Sequence, residues 1–495
     1  MEKEVIISSS APSLQNIDIH ITSARSDSCA DSARIPSAKP ETIAKVNDER
    51  NTEYPGGMKL ALIVAAACFS VFLMALDNCI IATAIPRITD EFDSLKDVAG
   101  IFSGALIVLA HSIPLKKRPI YTGIVSSMWG ISSVAGPLLG GFFTDNLTWR
   151  WCFYINLPIG AATVFVIILF FPDPIRSISQ ETWRTRLVQT DPLGNILFMP
   201  SVVCLLLALH WGGVMYPWSS TRIIALFVAF AIGMLGFIYL QYLGQENATV
   251  PPRIIKKRTV WSCSFFSFAL GAAFLLSVYY LPIWFQSVQG VSAVNSGVRN
   301  LPMLVGNLVF SLVAGAAVTV WGYYTPFMLL SSVLMSIGYG LLSTISPESP
   351  CAMWFGYQII AGAGVGVGMQ QPLIAVQVVL DMPDVPTGTA IVIFAQQIGG
   401  AIFVAIGQAV FTNGLIERLL QHIPSINSHS VIATGVTAIR KTIDLGLLPT
   451  VAHAYSDSLV QTLLISAVAA SSTIIGAVFV EWESVKGKAV QPSMV

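Results

Sequence analysis

From Met58 onward, apolar runs close to the length of a membrane-spanning helix follow one another along the chain. About 20 apolar residues in an α-helix cross the hydrocarbon core of a bilayer, and inside lipid every backbone polar group must be satisfied within the protein. The pattern therefore predicts an all-α polytopic membrane protein with about twelve membrane helices. We place the runs at 58–82, 98–114, 123–143, 155–171, 192–211, 222–242, 262–282, 299–320, 324–344, 354–378, 388–412 and 458–480.

The composition supports a membrane protein and excludes several other classes. Only 11% of the 495 residues are charged and 54% are hydrophobic, whereas soluble domains carry about 25% charged residues. The formal net charge is zero, so nothing indicates a nucleic-acid partner. The seven cysteines are scattered, with neither CxxC spacing nor a paired framework, and we expect no metal site.

Lysine and arginine predict the orientation, because cytoplasmic loops are enriched in both residues. Basic clusters at 116–118, 176–186 and 253–258 follow the second, fourth and sixth runs, so all three lie on the same side, the cytoplasm. Both termini are expected there too. The loop 413–456 is then external. Residues 1–56 are rich in Ser, Asp, Lys and Pro without periodicity, which is typical of a disordered tail.

Small residues repeat at every fourth position of the third run, Ser132, Gly136 and Gly140 on one face and Ser133, Pro137 and Gly141 beside it. Such stripes allow two helix backbones to come into contact inside a bilayer. Pro137 adds a kink, because it removes a backbone donor and crowds the preceding turn. Two explanations of the stripes remain open. They could serve helix packing alone, or they could have a specific role in transport.

Three stretches carry a resemblance to a known family. Residues 136–141, GPLLGG, resemble the G-P-x-x-G-G antiporter motif in the fifth helix of major facilitator superfamily drug–proton exporters. The WRWCFYINLPIG that follows at 149–160 is similar to the turn into the sixth helix of their fourteen-span branch, common in fungi. LDNCIIATAIP at 76–86 resembles the signature of their first helix. The resemblance covers about 57–482 and implies the major facilitator fold, two pseudo-symmetric helix bundles with an extra helix pair between them.

The resemblance also implies a function and a domain organisation. It implies proton-coupled efflux of a hydrophobic small molecule such as a drug, toxin or secondary metabolite, by a monomer in the lipid bilayer. The proton gradient would supply the energy without a cofactor. We expect the plasma membrane, with the vacuolar membrane as the alternative. The predicted units are the tail 1–56, a truncated N-terminal bundle 57–175, extra linker helices with cytoplasmic loops 176–258, a C-terminal bundle 259–481 that includes the external loop 413–456, and a cytoplasmic tail 482–495.

A weak internal repeat indicates that the first bundle is incomplete. Residues 84–86 match 280–282, and 106–123 match 373–388 in order. Between these matched elements the second half has two full runs, 299–320 and 324–344, and the first half has none. We therefore predict that two helices and the front of a third are missing near residues 97–100. The family's gating motif between helices two and three, and the arginine that opens its helix four, are lost with them. A transport-inactive product of the same family is the alternative function.

Asp77 is the acidic side chain that falls inside a predicted run. Ionisable residues inside a membrane are costly, and functional roles are the default expectation for them. The resemblance makes Asp77 the candidate for proton coupling. A structural carboxylate that caps a neighbouring helix is the alternative.

Uncharged amides could bind the cargo. Gln370, Gln371, Gln396 and Gln397 lie on two late runs and are our candidates for lining the substrate cavity, with hydrogen bonds between helices as the alternative. Asn146 begins a glycosylation sequon on the predicted outer side, but we expect no modification so close to the membrane. An integral-membrane enzyme is less favoured, because the runs hold no cluster of His, Cys and acidic residues, and no catalytic residue is predicted.

Overall fold

The computed structural model describes residues 57–88, 113, 117–146, 150–170, 191–213, 215–291, 293–422 and 448–486, some of them by their backbone alone. These residues fold into α-helices, and the described connections between them are short. In chain order they are α1 (Gly57–Ile88), α2 (Arg118–Asn146), α3 (Trp151–Tyr154), α4 (Asn156–Phe170), α5 (Pro192–Trp211), α6 (Thr221–Gly244), α7 (Pro252–Ile255), α8 (Arg258–Ser287), α9 (Ala293–Trp321), α10 (Thr325–Leu342), α11 (Cys351–Met369), α12 (Gln371–Val379), α13 (Val385–His422) and α14 (Leu448–Phe479), with a 3₁₀ turn at Gln245–Asn247.

Local signals explain where several of these helices begin. Asp191 caps α5 by accepting a hydrogen bond from Gly194 N at 2.9 Å, and Pro192 follows in the first turn, where its missing N–H costs nothing. Ser220 caps α6 in the same way through Arg222 N. Within the described residues, eight helical segments are long and apolar enough to cross a membrane.

The helices pack in two halves that share a pattern. We define the first half as α1, α2 and α4, and the second half as α8 to α14. In the first half α1 packs against α2 and α4, and in the second α8 packs against α13 and α14. This agreement supports the weak repeat, which matched the end of α1 with the end of α8. The two halves meet where α2 packs along α9.

Helices α5 and α6 form the extra pair between the halves and lie at the edge of the molecule. Only 6% of the apolar window of α6 is buried, against 83% for the span formed by α11 and α12. Phe198 of α5 contacts Phe394 of α13, with ring centroids 5.3 Å apart. The pair is thus a hairpin exposed on most of its surface, as expected for helices that face lipid.

The structure corrects two features of the predicted layout. The run 354–378 is one span but two helices, because Pro372 has no N–H to continue the ladder and the break falls at Gln370. The predicted loop 413–456 is helical at both ends, since α13 continues to His422 and α14 begins at Leu448. Buried Leu415 and Leu419 hold the extension of α13 in the core.

The start of the predicted cytoplasmic tail 482–495 is fixed in place as far as Lys486. Val485 N donates to Gly322 O at 2.8 Å, and Tyr324 Oη donates to Glu481 O at 2.7 Å. The first part of the tail therefore lies against the turn between α9 and α10. The predicted tail 1–56, and the run 98–114 apart from Ile113, lie outside the described residues.

Candidate cargo site at the junction of three helices

Helices α2, α9 and α11 come into backbone contact around Ser311, a residue of α9. A Cβ added to Gly366 of α11 would lie 2.9 Å from Ser311 N, and one added to Gly123 of α2 would lie 3.3 Å from Ser311 O. A Cβ on Gly315 would lie 2.8 Å from Pro119 O of α2. A side chain at Gly366 or Gly315 would therefore force the backbones apart, and one at Gly123 would make a tight contact. We call this meeting point of the two halves the Ser311 junction.

Polar side chains at this junction are buried without a hydrogen-bond partner. Ser311 is 3% exposed and Gln370 is 0% exposed. Neither Ser311 Oγ nor either amide atom of Gln370 has a partner among the described residues, and the same holds for Asn307 Oδ1. Gln370 follows Gly366 by one helical turn on the same stripe, which places it at the level of Ser311 and Gly315. Buried polar groups are almost always paired, so these groups indicate a site that takes a ligand or water in another state.

The break between α11 and α12 adds a further polar group. Gln371 Nε2 donates to Val367 O at 2.9 Å, whereas Gln371 Oε1 has no partner in the described part of the chain. Interrupted helices at membrane depth form substrate sites in many transporters, because irregular backbone lies next to a cavity there. The prediction that Gln370 and Gln371 line the cargo site agrees with this geometry and stays a prediction.

The other predicted glutamines lie on α13 and differ in their surroundings. Gln396 and Gln397 are partly buried, and a Cβ on Gly271 of α8 would overlap Gln396 O, which brings α8 and α13 into backbone contact. Gln408, by contrast, accepts a hydrogen bond from Tyr280 Oη at 3.2 Å and donates to Thr412 Oγ1 at 3.1 Å. For Gln408 the structural role of an amide between helices is the one observed.

Asp77 lies on α1, and its side chain lies outside the described residues, so its coupling role stays a prediction. The preceding Leu76 is fully buried against α2. Ser132 Oγ donates to Phe72 O at 2.8 Å, which joins α2 to α1 one turn before Asp77. The stripe that begins with Ser132 thus starts on the face that contacts α1.

The small-residue motif is divided between described and undescribed side chains. Gly136 is buried in α2, whereas nothing is described of Pro137, Gly140 and Gly141 beyond their helical backbone. The same holds for Asn146, the last residue of α2. The contact of α2 with the second half is made by Pro119 and Gly123, which precede the motif.

The sequence interpretation missed Asn307 and Ser311. Both interrupt a long apolar run at a spacing of four residues, so they share a helix face, and this spacing of polar residues was the available signal.

No cluster of three or more His, Cys, Asp or Glu side chains that could hold a metal ion occurs in the described ranges.

A salt-bridge cluster lies on the predicted cytoplasmic side. Arg253 of α7 donates to both carboxylate oxygens of Asp384, at 2.7 and 2.8 Å, and Arg253 Nε donates to Glu246 Oε1 at 2.8 Å. The hydrogen bond from Arg253 lowers the pKa of Asp384, and the two carboxylates raise the pKa of Arg253. The salt-bridge cluster connects the segment after the extra helix pair to the turn before α13.

Long apolar helices in two related halves, with buried unpaired amides where the halves meet, define a multi-pass membrane transporter. The family model of the Major Facilitator Superfamily matches residues 60–404, so this chain belongs to that superfamily. The family confirms the predicted transporter and the expectation that the chain is not an enzyme.

Curated relatives agree over nearly the whole chain. The chain is 45% identical to the MFS-type efflux pump MFS1 of Arthroderma benhamiae over 92% of this chain and 97% of the relative. It is 43% identical to the MFS-type transporter astH of Aspergillus oryzae, covering 91% of this chain and 92% of the relative. It is 41% identical to the aspyridones efflux protein of Neocamarosporium betae, with 92% of each chain covered. The chain is an MFS-type efflux transporter of the fungal kind.

The length of these alignments bears on the predicted deletion. The alignment to the Arthroderma pump has 521 positions, and 92% of the 495 residues is about 455, so about 65 positions have no residue of this chain. The loss of two membrane helices with their turns and part of a third would account for a number of this size, and its place near residues 97–100 stays a prediction. Among solved structures, a bacterial homolog of the human lysosomal transporter Spinster is similar, with a TM-score of 0.43 and 14% identity over 86% of this chain and 97% of that chain.

Proposed function

We propose that this transporter exports a hydrophobic small molecule with hydrogen-bonding groups, in exchange for protons, as a monomer in the plasma membrane. The vacuolar membrane is the alternative location. The printed name of one relative, an aspyridones efflux protein, supports a fungal secondary metabolite as the class of cargo. The proton gradient supplies the energy, and no cofactor takes part.

The observation that carries this proposal is the pair of unpaired groups at the Ser311 junction, Ser311 Oγ and the amide of Gln370. The junction is closed in this structure, because α2 covers α9 through Gly123 and Pro119. When α2 moves away from α9 as the two halves rock, the polar groups of α9 and α11 become accessible to a cargo molecule. A largely apolar site with a few polar groups suits bulky, weakly polar cargo.

Proton coupling is assigned to Asp77, the acidic residue within α1. Protonation neutralises the carboxylate, and the free-energy cost of a charge inside the membrane then falls. Asp77 would therefore take up a proton from the outside and release it into the cytoplasm in each cycle. The helix that carries it packs against α2, which also forms the seam with the second half, so protonation and rocking share one element.

The test is transport by the full chain in proteoliposomes with an imposed pH difference, with Nile red as the neutral hydrophobic probe. We expect Nile red movement that depends on the pH difference and stops in Asp77→Asn. Gln408→Leu is the control, because Gln408 is already bonded to Tyr280 and Thr412. A pH-driven rate that Asp77→Asn leaves unchanged refutes the coupling role.

A second function is favoured by a separate observation, the about 65 alignment positions that this chain lacks. The chain would then be a truncated, transport-inactive member of the family. Sequencing transcripts across the codons for residues 95–101 separates the two functions. If every transcript lacks the segment, the inactive product is favoured, and if a longer transcript exists, it encodes the active transporter.

A further inference from the structure

We infer a second binding site, at the external end of the contact between α9 and α11, that takes a carboxylate carried on an aromatic group. Its residues are Arg299 and Asn300 of α9, Trp354 and Gln358 of α11, and Phe285 of α8. We call it the outer site. It is separate from the Ser311 junction, and its ability to bind does not depend on transport.

The register of α9 against α11 fixes the position of Gln358. A Cβ on Gly362 would overlap Met303 O, and the Arg299 guanidinium lies 5.8 Å from the centre of the Trp354 ring. Gln358 lies one turn from both Trp354 and Gly362 on the same stripe of α11. Its amide is therefore held between these two contacts, at the level of Arg299 and Asn300.

The polar groups at this level are unpaired. Gln358 is 0% exposed, and neither of its amide atoms has a hydrogen-bond partner in the described residues. Asn300 is also buried, and its Oδ1 is without a partner there. A buried amide that no protein group satisfies has donors and an acceptor that can bind a ligand or water.

Arg299 supplies a positive charge that no carboxylate neutralises in the described part of the chain, where the ion pairs involve other residues. It donates to the amide oxygen of Gln289 and lies 6.0 Å from the centre of the Phe285 ring. These neutral partners orient the guanidinium and leave its charge available. Arginine prefers carboxylates, because its fork of donors matches their two oxygens.

Two aromatic rings define the other half of the ligand. Phe285 and Trp354 lie edge to face, with ring centroids 4.9 Å apart, and both are buried. An apolar wall next to a guanidinium and amide donors fits an aromatic acid better than an inorganic anion. Because α8 begins at the predicted cytoplasmic cluster, the start of α9 is external, so the site lies on the release side. It is separated from Gln370 by twelve residues, or about 18 Å along the helix.

The test is equilibrium binding of tritiated 2-naphthoate to the full chain in nanodiscs of a zwitterionic lipid, compared with the neutral isostere 2-naphthamide. We expect naphthoate to bind at least about tenfold tighter, because a charge-assisted pair replaces a neutral contact. Arg299→Gln should bring the two affinities together. Gln358→Leu should weaken naphthoate binding severalfold and leave a preference for the anion.

The matched control is Arg418→Gln, which removes another arginine at the external end that is bonded to Ser458 and Gln461. It should leave the ratio of affinities unchanged. Arg299→Lys keeps the charge if Arg299→Gln fails to fold, and it should retain part of the preference. Equal binding of naphthoate and naphthamide by the wild-type chain, or an equal loss in Arg418→Gln, overturns the inference.

An anionic lipid headgroup offers the same oxyanion chemistry, so binding is also measured in nanodiscs with phosphatidylglycerol. Unchanged naphthoate affinity supports the aromatic acid. Loss of naphthoate binding in these discs assigns the site to headgroup phosphate and overturns the proposal. Failure of Nile red transport with an intact naphthoate preference refutes the proposed function alone.

Discussion

The two halves of the molecule keep the same helix pairs but fix them by different chemistry. Helix α1 packs on α2 as α8 packs on α13, yet the first contact includes a hydrogen bond from Ser132 to Phe72 and the second is a backbone contact at Gly271. Inside a bilayer both solutions work, because association depends on close packing and hydrogen bonds rather than on the hydrophobic effect. Conserved architecture therefore does not require conserved contacts.

The second half also contains what the described first half does not. Helices α9, α10 and α11 pack side by side in the second half, and no described helix of the first half corresponds to α9 or α10. Both polar sites lie along α9 and α11. The comparison teaches that the buried unpaired polar groups of the proposed sites belong to the second half, whereas the first half contributes α2 at the contact between the halves and the candidate coupling residue Asp77.

The largest expected effect comes from completing the first half. Insertion of the about 65 unmatched residues of the Arthroderma relative after Val98, at the predicted gap, should raise the rate of pH-driven Nile red transport well above that of the chain without the insertion. The physical reason is that alternating access needs two bundles that can rock against each other. The inserted chain with Asp77→Asn is the control and should stay at background. Equal rates with and without the insertion would show that the first half is already complete.

The next effect tests the backbone contact that is specific to the second half. Gly362→Ala should lower the free energy of unfolding by about 1–3 kcal/mol, because its Cβ would overlap Met303 O and α9 would have to shift. Gly356→Ala on the same helix meets nothing within 4 Å and should be neutral or stabilising by up to about 1 kcal/mol. Unfolding in mixed micelles measures both. Similar values for the two variants would contradict close packing of α9 on α11.

The smallest effect concerns the predicted cytoplasmic edge of the second half. Asp384 is 13% exposed but Arg253 is 49% exposed, so Asp384→Asn should cost only about 0.5–1 kcal/mol of stability at pH 7. Because Arg253 lowers the pKa of Asp384 in the folded state, the contribution is complete above the unfolded pKa of about 3.9 and disappears as the pH falls through the folded value. Unfolding curves of both proteins at pH 7 and below pH 4 measure this. A difference that persists in acid would exclude the carboxylate as its source.

Much of the layout follows from the sequence. The predicted run 192–211 is helix α5, from Pro192 to Trp211, because apolar length, the capping Asp191 and the helix-starting proline all act locally. The sequence did not predict the far end of α13, because the helix there depends on tertiary contacts rather than on local signals. Residues beyond 412 mix polar and apolar side chains, and their helix is held by a partner, since Arg418 donates to Ser458 at 3.1 Å and to Gln461 at 3.0 Å on α14.

The candidate sites divide in the same way. The sequence marked Gln370 and Gln371 as polar residues in an apolar span, but it gave no reason to group them with Asn307 and Ser311 of another helix. Nor did it indicate that Gln358 lies beside Arg299. Those groupings depend on the parallel register of α9 and α11, which the contacts at Gly362 and Gly366 set across more than fifty residues of chain.

By itself the sequence determined that this protein crosses a membrane many times and to which family it belongs, and it predicted which way the protein faces. Apolar length, basic loops and short motifs are local properties of the sequence. The bilayer then restricts the apolar segments to helices that span it. Only the tertiary structure decided which buried amides remain without partners and where the halves touch. Hydrogen-bond satisfaction is a property of neighbours in space, and helices packed through glycine bring together residues that are far apart in the chain.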